Sequence, residues 1–270
     1  MQNRNIGFIG AGKMGSALIE GILKAGVVMP ENIGASDVYV PFLEEMKTKF
    51  GIRVSSENAD IARGSDILIL AVKPQILGSV LANLRDYVTS DKLVISIAAG
   101  VPLSVYEEAL SEGTRVVRVM PNIAATVSEA ASGISPGKNA TPEDLKTALE
   151  IFSAVGTAVQ VPESLMDAVT GLSGSGPAFI FPVIEAMADG AVLEGMDRKS
   201  ALTLAAQTVL GAAKMMLETG MHPGELKDMV TSPAGTTIQG ILVLEEAGIR
   251  AAFMNAVIRA SERSKELGKK

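Results

Sequence analysis

Three glycines near the N-terminus form the clearest chemical pattern in the chain. Gly10, Gly12 and Gly15 have the spacing G-x-G-x-x-G and lie between an apolar run, Ile6–Ile9, and a helical apolar pattern. In that context the first glycine permits a tight turn, the second lets the backbone approach a pyrophosphate, and the third lets the helix pack closely. The helix start also offers free N–H groups to phosphates. The pattern predicts a dinucleotide site; a glycine-rich turn in another strand–helix unit is the alternative.

An acidic residue, Asp37, follows the second predicted strand. A carboxylate at this place can accept a hydrogen bond from the adenine ribose 2′-OH and repels a 2′-phosphate. Residues 38–41 contain no arginine that would bind such a phosphate. The pattern therefore favours NADH, and a solvated loop acid is the alternative.

Small or polar residues follow three further predicted strands, at Ala71–Pro74, Ser96–Gly100 and Met120–Asn122. Ligands of open α/β sheets bind at the carboxyl ends of strands. The Lys73 stem could line such a cleft, the small residues leave room for a flat nicotinamide ring, and Asn122 offers both a donor and an acceptor. Taken singly, each could be an ordinary strand-end turn; together they favour a cofactor cleft.

The loop Ser232–Thr237 is the most informative stretch of the second half. Residues 235–237 would form the first turn of a helix, whose unpaired N–H groups suit a carboxylate. The hydroxyls of Thr236 and Thr237 can donate and accept. An ordinary helix cap is the alternative. His222 begins the preceding helix, and we interpret it as structural.

Composition excludes several classes of function. The 270 residues are 47% hydrophobic, carry a formal net charge of −6, and include one histidine and no cysteine. These values argue against a basic nucleic-acid surface, a disulfide and a thiolate or histidine metal site. Neither a signal-like start nor an unbroken apolar run of about 18 residues occurs, so we expect a cytoplasmic protein without a membrane span. Paired carboxylates and a Ser-His-Asp set are also lacking, which indicates that a bound cofactor does the chemistry.

The first half must position these residues, and it alternates strand and helix patterns, as in a parallel sheet covered on both faces. Predicted strands are Ile6–Ile9, Ile33–Ala35, Ile67–Val72, Leu93–Ile97 and Val116–Val119, with extended stretches at 128–136 and Val155–Val161. Predicted helices are Gly15–Ala25, Pro41–Phe50, Asn58–Arg63, Ile76–Tyr87, Leu103–Leu110 and one that starts after Thr141.

Beyond Pro162–Ser164, a predicted boundary, only helical patterns follow. They cover 164–171, 177–195, 198–219, 223–230, 235–247 and 249–267. Leu172–Pro177 could bind an anion, but a flexible hinge is the preferred interpretation. Segment 198–219 is apolar on nearly all faces, so we expect it to be buried against a second copy of the chain; a self-contained bundle is the alternative. The charged tail Glu262–Lys270 is expected to fray.

Together these motifs resemble the pyrroline-5-carboxylate reductase family, nearly from end to end. The matching stretches are FIGAGKMG at 8–15, AVKPQ at 71–75, SIAAGV at 96–101, MPN at 120–122, GLSGSGPAF at 171–179, EAMADGAV at 185–192 and HPGELKDMVTSPAGTTIQG at 222–240. The last of these is the family's own signature and is highly specific.

The resemblance implies an α/β fold with an N-terminal Rossmann-type parallel-sheet domain, 1–162, followed by an all-α substrate-binding and dimerisation domain, 163–270. The implied reaction is hydride transfer from NADPH or NADH to the imine carbon of 1-pyrroline-5-carboxylate, which gives L-proline. The implied partner is a second copy, as a homodimer, and assembly of dimers into a decamer is left open.

The resemblance also implies roles for individual residues. The cofactor residues are Ile9, Gly10, Ala11, Gly12, Lys13 and Met14 at the phosphates, Asp37 and Asn58 at the adenosine, and Ala71, Val72, Lys73, Pro74, Ile97, Ala98 and Ala99 at the nicotinamide; the strand-end pattern adds Asn122. The substrate residues are Ser232, Gly235, Thr236 and Thr237, with the catalytic Thr237 hydroxyl near the imine nitrogen.

The chain departs from the family pattern at two positions. Ile123 stands where many relatives have a threonine, and Asp37 where many have a small or hydroxyl residue that tolerates NADPH.

Two other functions are the alternatives. A β-hydroxyacid or 6-phosphogluconate-type dehydrogenase would need a catalytic lysine, and Phe179–Leu193 contains none. A non-catalytic dinucleotide-binding protein would not need the loop Ser232–Thr237.

Overall fold

The chain forms two compact units in a computed structural model that describes Met1 and residues 3–268. The first unit contains Met1–Ser175 and the C-terminal segment that begins at Arg259, and the second contains Gly176–Ile258. The division therefore falls later than the boundary expected at residue 162. The reason is packing: Met166 is fully buried, and Val169 lies directly against Gly133 in the sheet.

The first unit is built on an eight-stranded sheet with the order β3-β2-β1-β4-β5-β6-β7-β8. The strands are β1 Ile6–Ile9, β2 Ile33–Ser36, β3 Arg53–Ser55, β4 Ile67–Leu70, β5 Leu93–Ser96, β6 Arg115–Met120, β7 Ala130–Pro136 and β8 Gly156–Gln160. All neighbouring pairs are parallel except β6 and β7. The predicted parallel sheet is thus confirmed for its main part.

Two features of the sheet differ from the prediction. The edge strand β3 was not predicted, because it has only three residues and none of them is buried. Strand β7 runs antiparallel to β6, since only the short 3₁₀ turn Ile123–Val127 separates them, and a parallel return would need a longer crossover.

Helices cover both faces of the sheet. They are α1 Lys13–Lys24, α2 Val40–Phe50, α3 Asn58–Arg63, α4 Pro74–Leu84, α5 Leu103–Ala109, α6 Pro142–Ser153 and α7 Met166–Val169. Successive strand residues point into different cores. Phe8 packs in the cluster with α1, α2 and α6, whereas Ile9 packs in the cluster with α3, α4 and α5. This alternation is what a sheet buried on both sides requires.

The second unit is helical throughout. Its helices are α8 Gly176–Leu193, α9 Arg198–Thr219, α10 Pro223–Met229 and α11 Thr236–Glu246, and α12 Ile249–Leu267 begins there and ends in the first unit. Its buried core is small and made of alanines, Ala188, Ala201 and Ala205. The predicted all-α second half is confirmed.

Two local predictions are wrong. Residues 172–174, expected in a flexible turn, belong to a π-helical turn, Thr170–Gly174, that leads into α8. The tail does not fray at Glu262: α12 continues to Leu267, because Ser264 is buried and donates a hydrogen bond of 2.6 Å to Asp167. Residues 269 and 270 lie outside the described residues.

Two helical segments, Glu163–Leu193 and Arg198–Thr219, are long and apolar enough to cross a membrane. In the single chain, only 6% of the most apolar 18-residue stretch of the first segment is buried, and 11% of that of the second. Both helices contain scattered polar residues, which is why the sequence shows no unbroken apolar run of about 18 residues. The expectation of a protein without a membrane span stays a prediction.

Candidate functional site

The glycine turn has the geometry that a pyrophosphate site needs. Gly10 has a φ of +96°, and a Cβ there would lie 2.8 Å from the Ala71 carbonyl oxygen. A Cβ on Gly15 would lie 2.5 Å from the Gly10 carbonyl oxygen, so only glycine allows α1 to pack so closely. A Cβ on Gly12 would point into open space, and no side chain caps α1. The turn therefore leaves both room and backbone donors for a dinucleotide phosphate.

The strand order brings the predicted cofactor residues to one edge of the sheet. β1 lies between β2 and β4, with Ile9 opposite both Ser36 and Leu70. The Gly10 N–H donates to the Ser36 carbonyl at 2.8 Å, and the Ala71 N–H donates to the Ile9 carbonyl at 2.8 Å. In doubly wound sheets the crevice at this reversal of strand order is where dinucleotides bind.

Backbone donors hold the Asp37 side chain beside the glycine turn. One carboxylate oxygen accepts from the Ala11 N–H at 2.9 Å, and the other accepts from the Tyr39 N–H at 3.0 Å. The carboxylate is thus oriented before any ligand arrives, and its remaining lone pairs can accept from a ribose hydroxyl.

Asn58, the first residue of α3, is oriented in a similar way. Its side-chain oxygen accepts from the hydroxyl of Ser36, which is fully buried, at 2.8 Å. Because its oxygen is engaged, Asn58 can present its NH₂ donors to the adenosine end of a cofactor. Sequence reasoning did not identify Ser36.

The remaining cofactor residues differ in what they expose. The side chains of Ile9 and Ala11 are fully buried, so only their backbone can contact a ligand. Lys13 is exposed and Met14 is half-buried. Beyond β4, Ala71 and Val72 are half-buried beside the glycine turn, and the exposed Lys73 precedes Pro74 at the start of α4; beyond β5, Ile97 is half-buried, Ala98 is buried and Ala99 is exposed.

Asn122 differs from the other strand-end residues because its amide makes structural bonds. It is 8% exposed, donates to the Ser173 carbonyl at 3.0 Å and accepts from the Ala131 N–H at 3.3 Å. The side chain therefore links the end of β6 to β7 and to the π-helical turn. The neighbouring Ile123 is 47% exposed.

The predicted substrate loop belongs to the second unit. The Gly235 N–H closes a tight turn on the Ser232 carbonyl at 3.0 Å, and Gly235 precedes α11 without a side-chain cap. A Cβ on Gly235 would lie 2.3 Å from the Ser232 hydroxyl oxygen. Thr237 is half-buried, whereas Ser232 and Thr236 are exposed. The first turn of α11 thus offers backbone donors and hydroxyls to an anion.

His222 has the structural role expected of it. Its Nδ1 accepts from the Gly224 N–H at 3.1 Å, and Glu225 accepts from the His222 N–H at 3.3 Å, which makes a capping box for α10. Within residues 3–268, no group of three histidine, cysteine or acidic side chains could hold a metal ion.

The fold and the glycine-turn site define a dinucleotide-binding oxidoreductase of the Rossmann type. Residues 5–100 match the family described as NADP oxidoreductase, coenzyme F420-dependent, and residues 163–267 match the family described as pyrroline-5-carboxylate reductase dimerisation.

Close relatives narrow this class. The chain is 86% identical over the full length of both proteins to a pyrroline-5-carboxylate reductase of Methanosarcina acetivorans. It is 44% identical to that of Escherichia coli, with 98% of this chain and 99% of the relative covered. The solved structure of the Coxiella burnetii enzyme matches with a TM-score of 0.95 at 37% identity, over 100% of both chains. The chain belongs to the pyrroline-5-carboxylate reductase family.

This membership confirms the predicted family, the Rossmann-type fold with its helical second part, and the predicted NAD(P)-dependent reductase activity. A prephenate dehydrogenase of Aquifex aeolicus shares only the fold, with a TM-score of 0.57 at 15% identity.

Proposed function

We propose that this chain reduces 1-pyrroline-5-carboxylate to L-proline, that the glycine-turn site holds the dinucleotide, and that the first turn of α11 holds the substrate carboxylate. The observation that carries the substrate assignment is a contrast between helices of the second unit. Side chains of Asp197 and His222 cap α9 and α10, whereas α11 begins without a side-chain cap at Gly235. Uncapped N–H groups in a first turn can bind a carboxylate.

The cofactor, when bound, supplies the hydride that the imine carbon accepts. The protein's contribution is to hold the phosphates on the backbone of the glycine turn, to accept a hydrogen bond from the ribose at Asp37, and to keep the small residues Ala98 and Ala99 where the flat ring needs room. A solved structure of the Plasmodium falciparum relative, 36% identical with a TM-score of 0.88 and 99% of both chains covered, has NADP bound. We propose NADH as the preferred cofactor here because the oriented Asp37 carboxylate repels a 2′-phosphate.

The chemical demands on the substrate side are small, since a protonated imine accepts a hydride readily. The backbone donors of residues 235–237 orient the carboxylate, and the Thr237 hydroxyl can hydrogen-bond the ring nitrogen. Holding the imine carbon in line with the hydride donor supplies most of what catalysis requires.

The active form in this proposal is a homodimer in the cytoplasm, in which a second copy covers the apolar faces of α8 and α9. Burial in such a dimer interface would explain why two long apolar helices are exposed in the single chain, and no membrane is needed to explain it. The family described for residues 163–267 carries dimerisation in its name. Light scattering of the purified protein without detergent distinguishes a monomer, a dimer and a decamer, and a stable monomer would contradict this part.

One assay tests the reaction. Oxidation of NADH is measured on addition of 1-pyrroline-5-carboxylate, with formation of L-proline as the second readout and NADPH as the parallel arm. We expect turnover with both cofactors and a higher kcat/KM with NADH. Absence of turnover with either cofactor would reject the function, and a strong preference for NADPH would reject the role of Asp37.

A further inference from the structure

The loop proposed to accept the nicotinamide ring has few means to hold its own shape. Residues 97–101 read Ile-Ala-Ala-Gly-Val, and none of these side chains can form a hydrogen bond. Gly100 adopts a φ of +74° at its tip. The conformation of this loop therefore depends on bonds that neighbouring residues make to its backbone.

A buried pair of hydroxyls provides such a bond where the loop begins. The Ser96 hydroxyl, at the end of β5, lies 2.6 Å from the Tyr106 hydroxyl on α5, and both residues are fully buried. The Ala98 N–H donates to the same Ser96 oxygen at 3.3 Å. Tyr106 thus connects through Ser96 to the backbone of the proposed nicotinamide wall.

The Tyr106 hydroxyl is suited to a fixed structural bond. Burial raises the pKa of Tyr106 to about 12, against the opposing effects of the Ser96 hydrogen bond and of Arg118. The hydroxyl therefore stays protonated in the physiological range. A phenylalanine would fill the same space in the buried cluster that also contains Leu103 and Leu110, so packing alone does not require the oxygen.

A second bond holds the end of the same loop. The Leu103 N–H, at the start of α5, donates to a carboxylate oxygen of Glu163 at 2.6 Å, and the buried Arg118 donates to that oxygen at 3.3 Å. Hydrogen bonds to buried polar groups and to Glu163 therefore hold the loop at both of its ends.

We propose that Tyr106 and Ser96 are positioning residues for the nicotinamide end of the cofactor: their hydroxyl pair holds the backbone of Ile97–Ala99 in the shape that accepts the ring. The inference rests on the proposed function, since it assumes that this loop forms the nicotinamide wall. Neither hydroxyl contacts substrate or cofactor in this account.

The test compares two ligands that differ only at the end in question. NADH and ADP-ribose share the adenosine and pyrophosphate, and ADP-ribose lacks the nicotinamide. In Tyr106→Phe and Ser96→Ala, we expect the Kd of NADH, measured by calorimetry, to rise about 5- to 10-fold and kcat to fall, while the Kd of ADP-ribose changes less than about twofold. If NADPH proves to be preferred, NADPH and 2′-phospho-ADP-ribose form the equivalent pair.

Two further variants keep the test informative. The double variant S96A/Y106F leaves no unpaired hydroxyl, so it should fold even where a single variant does not, and it should still weaken NADH because the Ala98 N–H has lost its acceptor. Ser65→Ala is the matched control: Ser65 is a buried serine that donates to the Ile61 carbonyl at 2.7 Å, and it precedes the amino-terminal end of β4, whereas Ser96 lies at the carboxyl end of β5. Its ratio of NADH to ADP-ribose affinity should not change.

The outcomes separate this inference from the proposed function. Equal weakening of both ligands, or no weakening of either, in the double variant would overturn the positioning role while the wild-type reductase activity stands. Failure of the wild-type chain to reduce 1-pyrroline-5-carboxylate would instead reject the proposed function.

Discussion

The two units of this chain complete their cores in different ways. The sheet unit buries large side chains on both faces, with Phe8, Phe152 and Tyr106 fully enclosed. The helical unit encloses little more than alanines, and it leaves large apolar side chains such as Leu210 and Leu217, 54% and 78% exposed, on the surface of a single chain. The first unit therefore completes its core within one chain, whereas the second leaves the apolar side chains that the proposed dimer would bury.

This difference shows why hydropathy alone misleads for the second unit. A helix that is apolar on all sides must be covered by protein or lipid. The same feature that makes α8 and α9 resemble membrane spans is what a helical dimer needs. In the sheet unit, by contrast, the apolar strands find their cover within the chain.

The largest effect is expected from disrupting the proposed dimer interface on α9. The double variant L210E/L217E places two charges on one stripe of α9, and burying each unpaired charge costs several kcal/mol. We expect loss of the dimer at micromolar concentration and a fall in activity of at least about 100-fold. Light scattering and the reductase assay measure both.

Val159→Glu is the matched control for this variant. Val159 is 53% exposed on β8 of the sheet unit, and we expect a charge there to leave the dimer intact. A dimeric, active L210E/L217E protein would show that α9 is not the covered surface.

A side chain on Gly12 should separate cofactor binding from folding. Because a Cβ at this position points into open space, Gly12→Val should fold with a normal melting temperature. The added side chain would occupy the space that a pyrophosphate needs, so we expect NADH affinity to fall about 100-fold, equivalent to ~3 kcal/mol.

Gly15→Val is the comparison for this prediction, since its Cβ would clash with the Gly10 carbonyl and should lower the melting temperature as well. Unchanged NADH binding in Gly12→Val would remove the glycine turn from the proposed phosphate site.

Thr237→Ala tests the other half of the reaction. Loss of one positioned hydrogen bond of about 1.5–3 kcal/mol should lower kcat by one or two decades. Thr237→Ser keeps the hydroxyl and should retain most of the activity. Equal kinetics for the alanine variant and the wild type would exclude Thr237 from the mechanism.

Asp37→Ser should move cofactor preference without abolishing activity. Removing the carboxylate ends its repulsion of a 2′-phosphate, so the ratio of kcat/KM for NADH over NADPH should fall about tenfold, ~1.4 kcal/mol. NADH itself should bind somewhat less well, because its ribose hydroxyl loses the carboxylate that accepts its hydrogen bond. A constant ratio would contradict the assignment.

The smallest effect is expected on the surface of the sheet unit. Hydrogen bonds from Lys24, which has the larger effect, and from Lys49 lower the pKa of Glu20 to about 2. A lowered folded-state pKa means that the stabilisation is present above the unfolded-state value of 4.5 and is lost as the pH falls towards 2. Since the pair is open to solvent, Glu20→Gln should cost no more than about 0.5 kcal/mol at pH 7.

Urea unfolding at pH 7 and pH 3 measures this effect, with Glu31→Gln, an exposed acid, as the control. A larger loss of stability at pH 3 than at pH 7 would contradict the sign.

Much of the sheet unit could be predicted, and candidate site residues could be proposed, because the signals for both are local. The glycine spacing at residues 10–15, the apolar strands and the loop Ser232–Thr237 each lie within a short stretch, and backbone sterics or hydrogen-bonding demands act over that same length. The short polar strand β3 had no such signal. The apolar pattern of α9 indicated that this helix must be buried by other protein surface, and the expectation that a second copy buries it stays a prediction.

Other features depend on contacts between segments that are far apart in the sequence. The antiparallel course of β7, the use of the Asn122 amide as a bridge, the Ser264–Asp167 bond that holds the end of α12, and the pairing of Tyr106 with Ser96 all depend on which elements become neighbours. A local pattern specifies how each segment folds and which of its faces is apolar. The partners of buried polar groups are selected by the three-dimensional packing, because a hydrogen bond is satisfied by whichever group the tertiary structure brings within reach.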